Sequence, residues 1–106
     1  MLVGVLHTIS DATAWKNALI DAEKTGIAPE GYGLPVAVHS GNGDYAFCLW
    51  SAPSVEALRE TLEPMTAGVA TNTYFPVNTS HPGTALPAGI PAQTINVTET
   101  PAKVRS

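Results

Sequence analysis

The chain has 106 residues, 44% hydrophobic and only 13% charged, with a net charge of −4. That length suits one domain built on one modest core. The acidic balance, with Lys16, Lys24, Arg59, Lys103 and Arg105 scattered along the chain, speaks against a nucleic-acid surface, which needs clustered cations. No apolar run approaches the ~20 residues of a membrane span. So low a charge content, against ~25% in ordinary soluble domains, implies that a partner covers part of the surface.

The first predicted element is a strand over Met1–Ile9. A helix follows, starting after Ser10 or Asp11 as N-cap and stopping at Gly26. Trp15, Ala18, Leu19 and Ala22 recur at helical spacing and mark its buried stripe. The segment from Gly26 to Pro35 holds three glycines and two prolines and reads as a long loop. Strands over Pro35–Ser40 and Asp44–Ser51 are joined through Gly41-Asn42-Gly43, where Asn-Gly is suited to the positive φ angles of a tight turn. Ser54 caps a second helix whose buried face runs through Val55, Leu58, Leu62 and Met65. Pro64 lies near its end and Gly68 closes it. A fourth strand is expected around Val69–Val77.

The order strand, helix, strand, strand, helix, strand predicts a ferredoxin-like α+β sandwich: a four-stranded antiparallel sheet with both helices on one face. Residues 1–78 form this domain. Residues 79–106 form a tail rich in Pro, Thr and Ala, within which Thr94–Thr98 alternates like a short edge strand. The sheet face without helices needs a cover, and a second copy related by a two-fold axis supplies one. A monomer would mean that the tail covers it instead.

Cys48 is the only cysteine, which rules out an internal disulfide and a cysteine-built zinc site. It reads as a small buried apolar residue. Without a basic leader or a small-residue cleavage site, the expected location is cytoplasmic, and the sequons at Asn78 and Asn96 read as chance. No phosphate loop, dinucleotide fingerprint, nucleophile elbow or calcium loop is present, so no motif requires a cofactor. Glu56, Glu60 and Glu63 are expected on the exposed side of the second helix as solvated charge, with Arg59 alongside.

Histidine is then the strand-borne group able to move protons near neutral pH. His7 and His39 are the candidate catalytic groups, provided they share a sheet face, which alternation alone leaves open. The plainer reading is a hydrogen-bonded core histidine. Trp50, Asn72 and Tyr74, together with Tyr32 of the long loop, are the candidate ligand-binding residues that would shape an aromatic pocket with polar handles. A metal site would need a third donor, and nothing in the sequence brings His81 near the other two histidines.

The passage Tyr45-Ala46-Phe47-Cys48-Leu49-Trp50-Ser51-Ala52-Pro53-Ser54-Val55-Glu56-Ala57-Leu58-Arg59 resembles the strand–Ala-Pro–helix passage of small dimeric α/β-barrel proteins. It is most similar to a bacterial group of short proteins of largely unknown function, some of which bind nickel. The resemblance covers about residues 1–78. It implies a homodimer. The nickel-binding relatives place histidines on the helices or at the end of the second one, where this chain reads Leu62-Glu63-Pro64-Met65-Thr66-Ala67-Gly68. The wider superfamily includes cofactor-free oxygenases, haem-degrading enzymes and stress-response proteins that hold ligands between sheet and helices with Asn, Trp, Tyr or His. By that resemblance the expected function is binding of a small, largely apolar or aromatic ligand, with oxygenase-like or isomerase-like chemistry. Nickel-type metal binding and a non-enzymatic interaction module are the alternatives.

Overall fold

The structure is a computed structural model that describes residues 1–26 and 28–87. The elements are β1 (Leu2–Ile9), α1 (Ala12–Thr25), β2 (Gly33–His39), β3 (Tyr45–Ser51), α2 (Val55–Thr66) and β4 (Ala70–Pro76). All strand pairs are antiparallel, in the spatial order β2-β3-β1-β4. This is the ferredoxin-like α+β arrangement that the element order predicts. The expected strand at Thr94–Thr98 lies outside the described residues.

The helix ends follow from local chemistry. Asp11 accepts from the Ala14 N–H at 3.0 Å and Ser54 from the Ala57 N–H at 3.0 Å, each satisfying an orphan donor of the first turn. Gly26 ends α1 at φ 93°, a conformation that side chains disfavour. Pro64 lies inside α2, near its end, as its position predicts. β2 starts earlier than expected, at Gly33, and its pairing with β3 shifts register between Gly33 and Val36. Pro35 has no N–H to give the ladder, so an edge strand with an irregularity accommodates it.

The hairpin turn differs from the expected Asn-Gly pair. Only glycines have positive φ among the described residues, Gly43 at 80° among them. Asn42 instead works through its side chain, whose Oδ1 accepts from Ser40 Oγ at 2.8 Å and from the Asp44 N–H at 3.0 Å.

Alternation divides the sheet. Val3, Val5, His7 and Ile9 of β1 share the helix-covered face with Ala46, Cys48 and Trp50 of β3 and with Asn72 and Tyr74 of β4. Val55, Leu58 and Leu62 of α2 pack on Val3, Val5, Cys48, Trp50 and Tyr74. A smaller cluster of Ile9, Trp15 and Ala46 holds α1. On the opposite face Leu6, Val38 and Tyr45 stay 46%, 54% and 51% exposed, and Phe47 stacks on Phe75 with centroids 6.4 Å apart. That face bears neither helix; its end at Leu2 and Leu49 is buried, and the exposed apolar part is the end around Leu6, Val38 and Tyr45.

Candidate functional site

Trp15 is the one buried residue of α1. The rest of the expected stripe, Ala18, Leu19 and Ala22, roofs a cavity of about 300 Å³ between α1 and the sheet. Its floor and far wall come from Ala37, Cys48, Trp50 and Leu62, with His7 and His39 at one side. Met65, expected in the buried stripe of α2, is 53% exposed and also lines this space.

The strand register answers the question that alternation left open. His7 pairs with Ala46 on one side and Asn72 on the other, while His39 also pairs with Ala46. Asn72, His7, Ala46 and His39 therefore form one rung across all four strands, on the helix-covered face. The small Ala46 leaves a gap between the two imidazoles, and Trp15 occupies it. Its ring centroid lies 4.8 Å from that of His7 and 6.0 Å from that of His39. Trp15 Nε1–H donates to His39 Nε2 at 2.8 Å. That bond uses the Nε2 lone pair of His39, so this imidazole positions the indole.

His7 is 2% exposed, and burial holds its pKa below the ordinary value, opposed by the hydrogen bond to Asn72. The neutral ring is the form this site favours. His7 Nδ1 lies 2.5 Å from Asn72 Oδ1. Asn72 Nδ2 in turn donates to Glu63 Oε2 at 2.9 Å, to Thr66 Oγ1 at 2.8 Å and to Tyr74 OH at 3.3 Å. Tyr74 OH donates to Glu63 Oε2 at 2.5 Å. The hydrogen bonds from Tyr74 and Asn72 hold the Glu63 carboxyl below the usual range. Burial, reinforced by Glu63, pushes the Tyr74 phenol up. Burial also pushes the Cys48 thiol up to about 11, so Cys48 faces the cavity as an uncharged thiol.

The expected site residues thus fall into three groups. His7, His39 and Trp50 line the cavity. Asn72 and Tyr74 sit behind His7, connected to it by hydrogen bonds. Tyr32 is elsewhere: it packs against the α2 core, and its hydroxyl lies 3.4 Å from both Ala57 O and Thr61 Oγ1. The long loop carries Tyr32 to Ala57 and Thr61 of α2, and among its described residues only Leu34, already in β2, reaches the cavity.

Glu63 and Thr66 were not among the expected site residues. Glu63 is exposed, as predicted, yet it is not merely solvated. At 100° per residue it lies roughly 60° around α2 from the buried Thr66, at the border of the packed stripe. Trp50 is buried in the cavity wall, and among the described residues its Nε1–H has no hydrogen-bond partner. Among the described residues, no three His, Cys, Asp or Glu side chains converge as a metal-binding group. No described helix is long and apolar enough to cross a membrane. No protein-family model matches the chain, and no curated protein or solved structure matches it.

Proposed function

We propose that this chain is a dimeric α/β-barrel protein that binds a compact, largely apolar or aromatic molecule beneath α1 and uses His7 as the proton acceptor. The observation that carries this reading is a cavity of about 300 Å³, walled mainly by apolar side chains, beside an imidazole with one nitrogen tied by Asn72 and, among the described residues, no partner on the other. The volume suits a one- or two-ring ligand. No Lys or Arg lines the space, while Glu23 does, so a neutral ligand is favoured over an anion. A weakly acidic O–H or C–H would be directed at His7 Nε2. Returning the proton to a different atom would isomerise the ligand. Oxygenase-like chemistry would draw on the same deprotonated form.

The homodimer belongs to the same proposal. Leu6, Phe47 and Val38 make an apolar row across three adjacent strands of the uncovered face, and two such faces would cover one another. Sedimentation should give twice the 11.0 kDa chain mass. The same exposed row is also what an interaction module would present, and the cavity favours the ligand reading over it.

The test is a thermal-shift panel of neutral phenols, enols and other small aromatic weak acids, with metal salts alongside. Quenching of Trp15 and Trp50 fluorescence follows binding directly. A ligand at a hundred times its dissociation constant adds about 2.7 kcal/mol, a shift of several degrees. His7→Ala should lose binding and keep the dimer. A panel in which no organic compound binds, or His7→Ala binding as tightly as wild type, refutes the proposal.

A further inference from the structure

The amide of Asn72 could stand either way round on shape alone, and only its partners decide which end is oxygen. Three partners surround it opposite His7. The Glu63 carboxylate can only accept. Thr66 Oγ1 donates its proton to Leu62 O at 2.9 Å, leaving its oxygen as an acceptor. The Tyr74 hydroxyl donates to Glu63, so its oxygen too is an acceptor. All three require the NH₂ end of Asn72, and the oxygen must then face His7. A carbonyl oxygen 2.5 Å from His7 Nδ1 requires the ring proton on Nδ1, which leaves Nε2 bare.

We infer that Glu63, on the outer side of α2, is with Thr66 and Tyr74 a positioning residue that fixes which nitrogen of His7 carries the proton, acting through the side-chain amide of Asn72. It does so in the way that outer residues orient a ligating or catalytic imidazole elsewhere. Glu63 is also the carboxylate nearest this network. The other titratable or charged groups around His7 are His39 on β2, Cys48 on β3, Tyr74 on β4, Glu23 on α1 at the cavity wall, and Arg59 on α2. The Arg59 guanidinium lies 4.9 Å above the Tyr74 ring. His39 is tied to Trp15, and Cys48 is uncharged. The negative charge of Glu63 favours a proton on His7, while the field of His39 opposes one.

This inference rests on the reading of His7 as the acceptor, but its test observes the imidazole itself. The full chain is labelled with nitrogen-15, and the ring nitrogens of His7 are followed through a pH titration by two-bond proton–nitrogen correlation. Wild type should show the Nδ1–H form. Glu63→Lys replaces an acceptor with a donor and frees the Tyr74 hydroxyl to donate as well, so two donors outweigh the one acceptor left at Thr66 and His7 should move toward the Nε2–H form. Glu63→Gln keeps an acceptor oxygen without the charge. It should keep the tautomer and lower the His7 titration midpoint, since the charge that favours the protonated ring is gone. Glu60→Gln makes the same charge change on the same helix, outside the network, and should leave both readouts at wild-type values. The inference is overturned if Glu63→Gln leaves the midpoint where Glu60→Gln does, or if a folded Glu63→Lys keeps the wild-type tautomer. Should Glu63→Lys fail to fold, the Glu63→Gln midpoint decides. A failed ligand panel beside the expected tautomers refutes the functional reading alone; the wrong tautomers beside a bound ligand refute this one alone.

Discussion

Replacing His7 by Gln should remove a specific part of the protein's acid sensitivity. In the unfolded chain His7 takes up a proton near its ordinary value of 6.5, whereas burial lowers the value in the folded state. Below about pH 6.5 the unfolded state therefore binds a proton that the folded state resists, and stability falls. The slope for one proton reaches at most about 1.4 kcal/mol per pH unit. The loss continues down to the folded-state midpoint and then stops. Asn72 and Glu63 shorten this window by favouring the charged ring, and His39 lengthens it. Glu63 acts in a separate range: its carboxyl is held below 4.5, so what it contributes is lost only as the pH falls through that lower value.

Gln at this position can still donate to Asn72 Oδ1 but does not titrate. Urea unfolding of wild type and His7→Gln, at steps between about pH 8 and about pH 5, should give curves that run parallel above about 6.5 and diverge below it. The wild type should be the steeper of the two, by a sizeable fraction of that limiting slope. Parallel curves over the whole range would show that burial does not disfavour the His7 charge, and the electrostatic account of the site would fail with it.

Two other substitutions address the two faces of the sheet. Ala18→Leu adds three carbons to the cavity roof; at about 0.8 kcal/mol per buried carbon, and with the cavity open on one side, it should stabilise the fold by about 1 kcal/mol. It should also weaken binding of any ligand found at least about tenfold in a fluorescence titration, and unchanged affinity would place the ligand elsewhere. On the uncovered face, a Cβ on Gly4 would lie 2.3 Å from Phe75 Cζ, so Gly4→Ala must displace the ring. It should cost about 1 kcal/mol in urea unfolding, and Phe75→Leu in the same chain should recover most of it; a double variant no better than the single one would refute the contact.

The fold was legible because its signals are local. Period two in β1 and β3, the caps Asp11 and Ser54, and the stripe Val55, Leu58 and Leu62 each depend on a few neighbouring residues. The pairing of His7 with Asn72 was foreseeable from the usual strand order of this fold. The shared rung with His39 was not, because alternation does not say which face of an edge strand turns inward. By spacing alone the α1 stripe reads as core, since Trp15, Ala18, Leu19 and Ala22 look alike whether they meet side chains or border a cavity. Tyr32 was misplaced for a similar reason: a loop's composition does not tell which side of a helix it passes. Glu63 could not be distinguished from Glu60 by charge or spacing. What separates them is the arrival of Asn72 and Tyr74 from β4, which depends on the strand order.

The attachment of α1 is unevenly distributed along the helix. Trp15, in its first turn, is its single buried side chain, tilted against the His7 ring and hydrogen-bonded to His39. Beyond it, Leu19 still packs on the Ile9–Trp15–Ala46 cluster, while Ala18 and Ala22 only border the cavity. Tilting the later turns away from the sheet therefore breaks few contacts and leaves the indole seated, whereas β1 is paired on both sides and does not yield. The imidazole sits on one of the two central strands, while the roof is anchored near one end only. If the proposed ligand binds there, lifting the later turns of α1 widens an opening the cavity already has and asks for no rearrangement around His7.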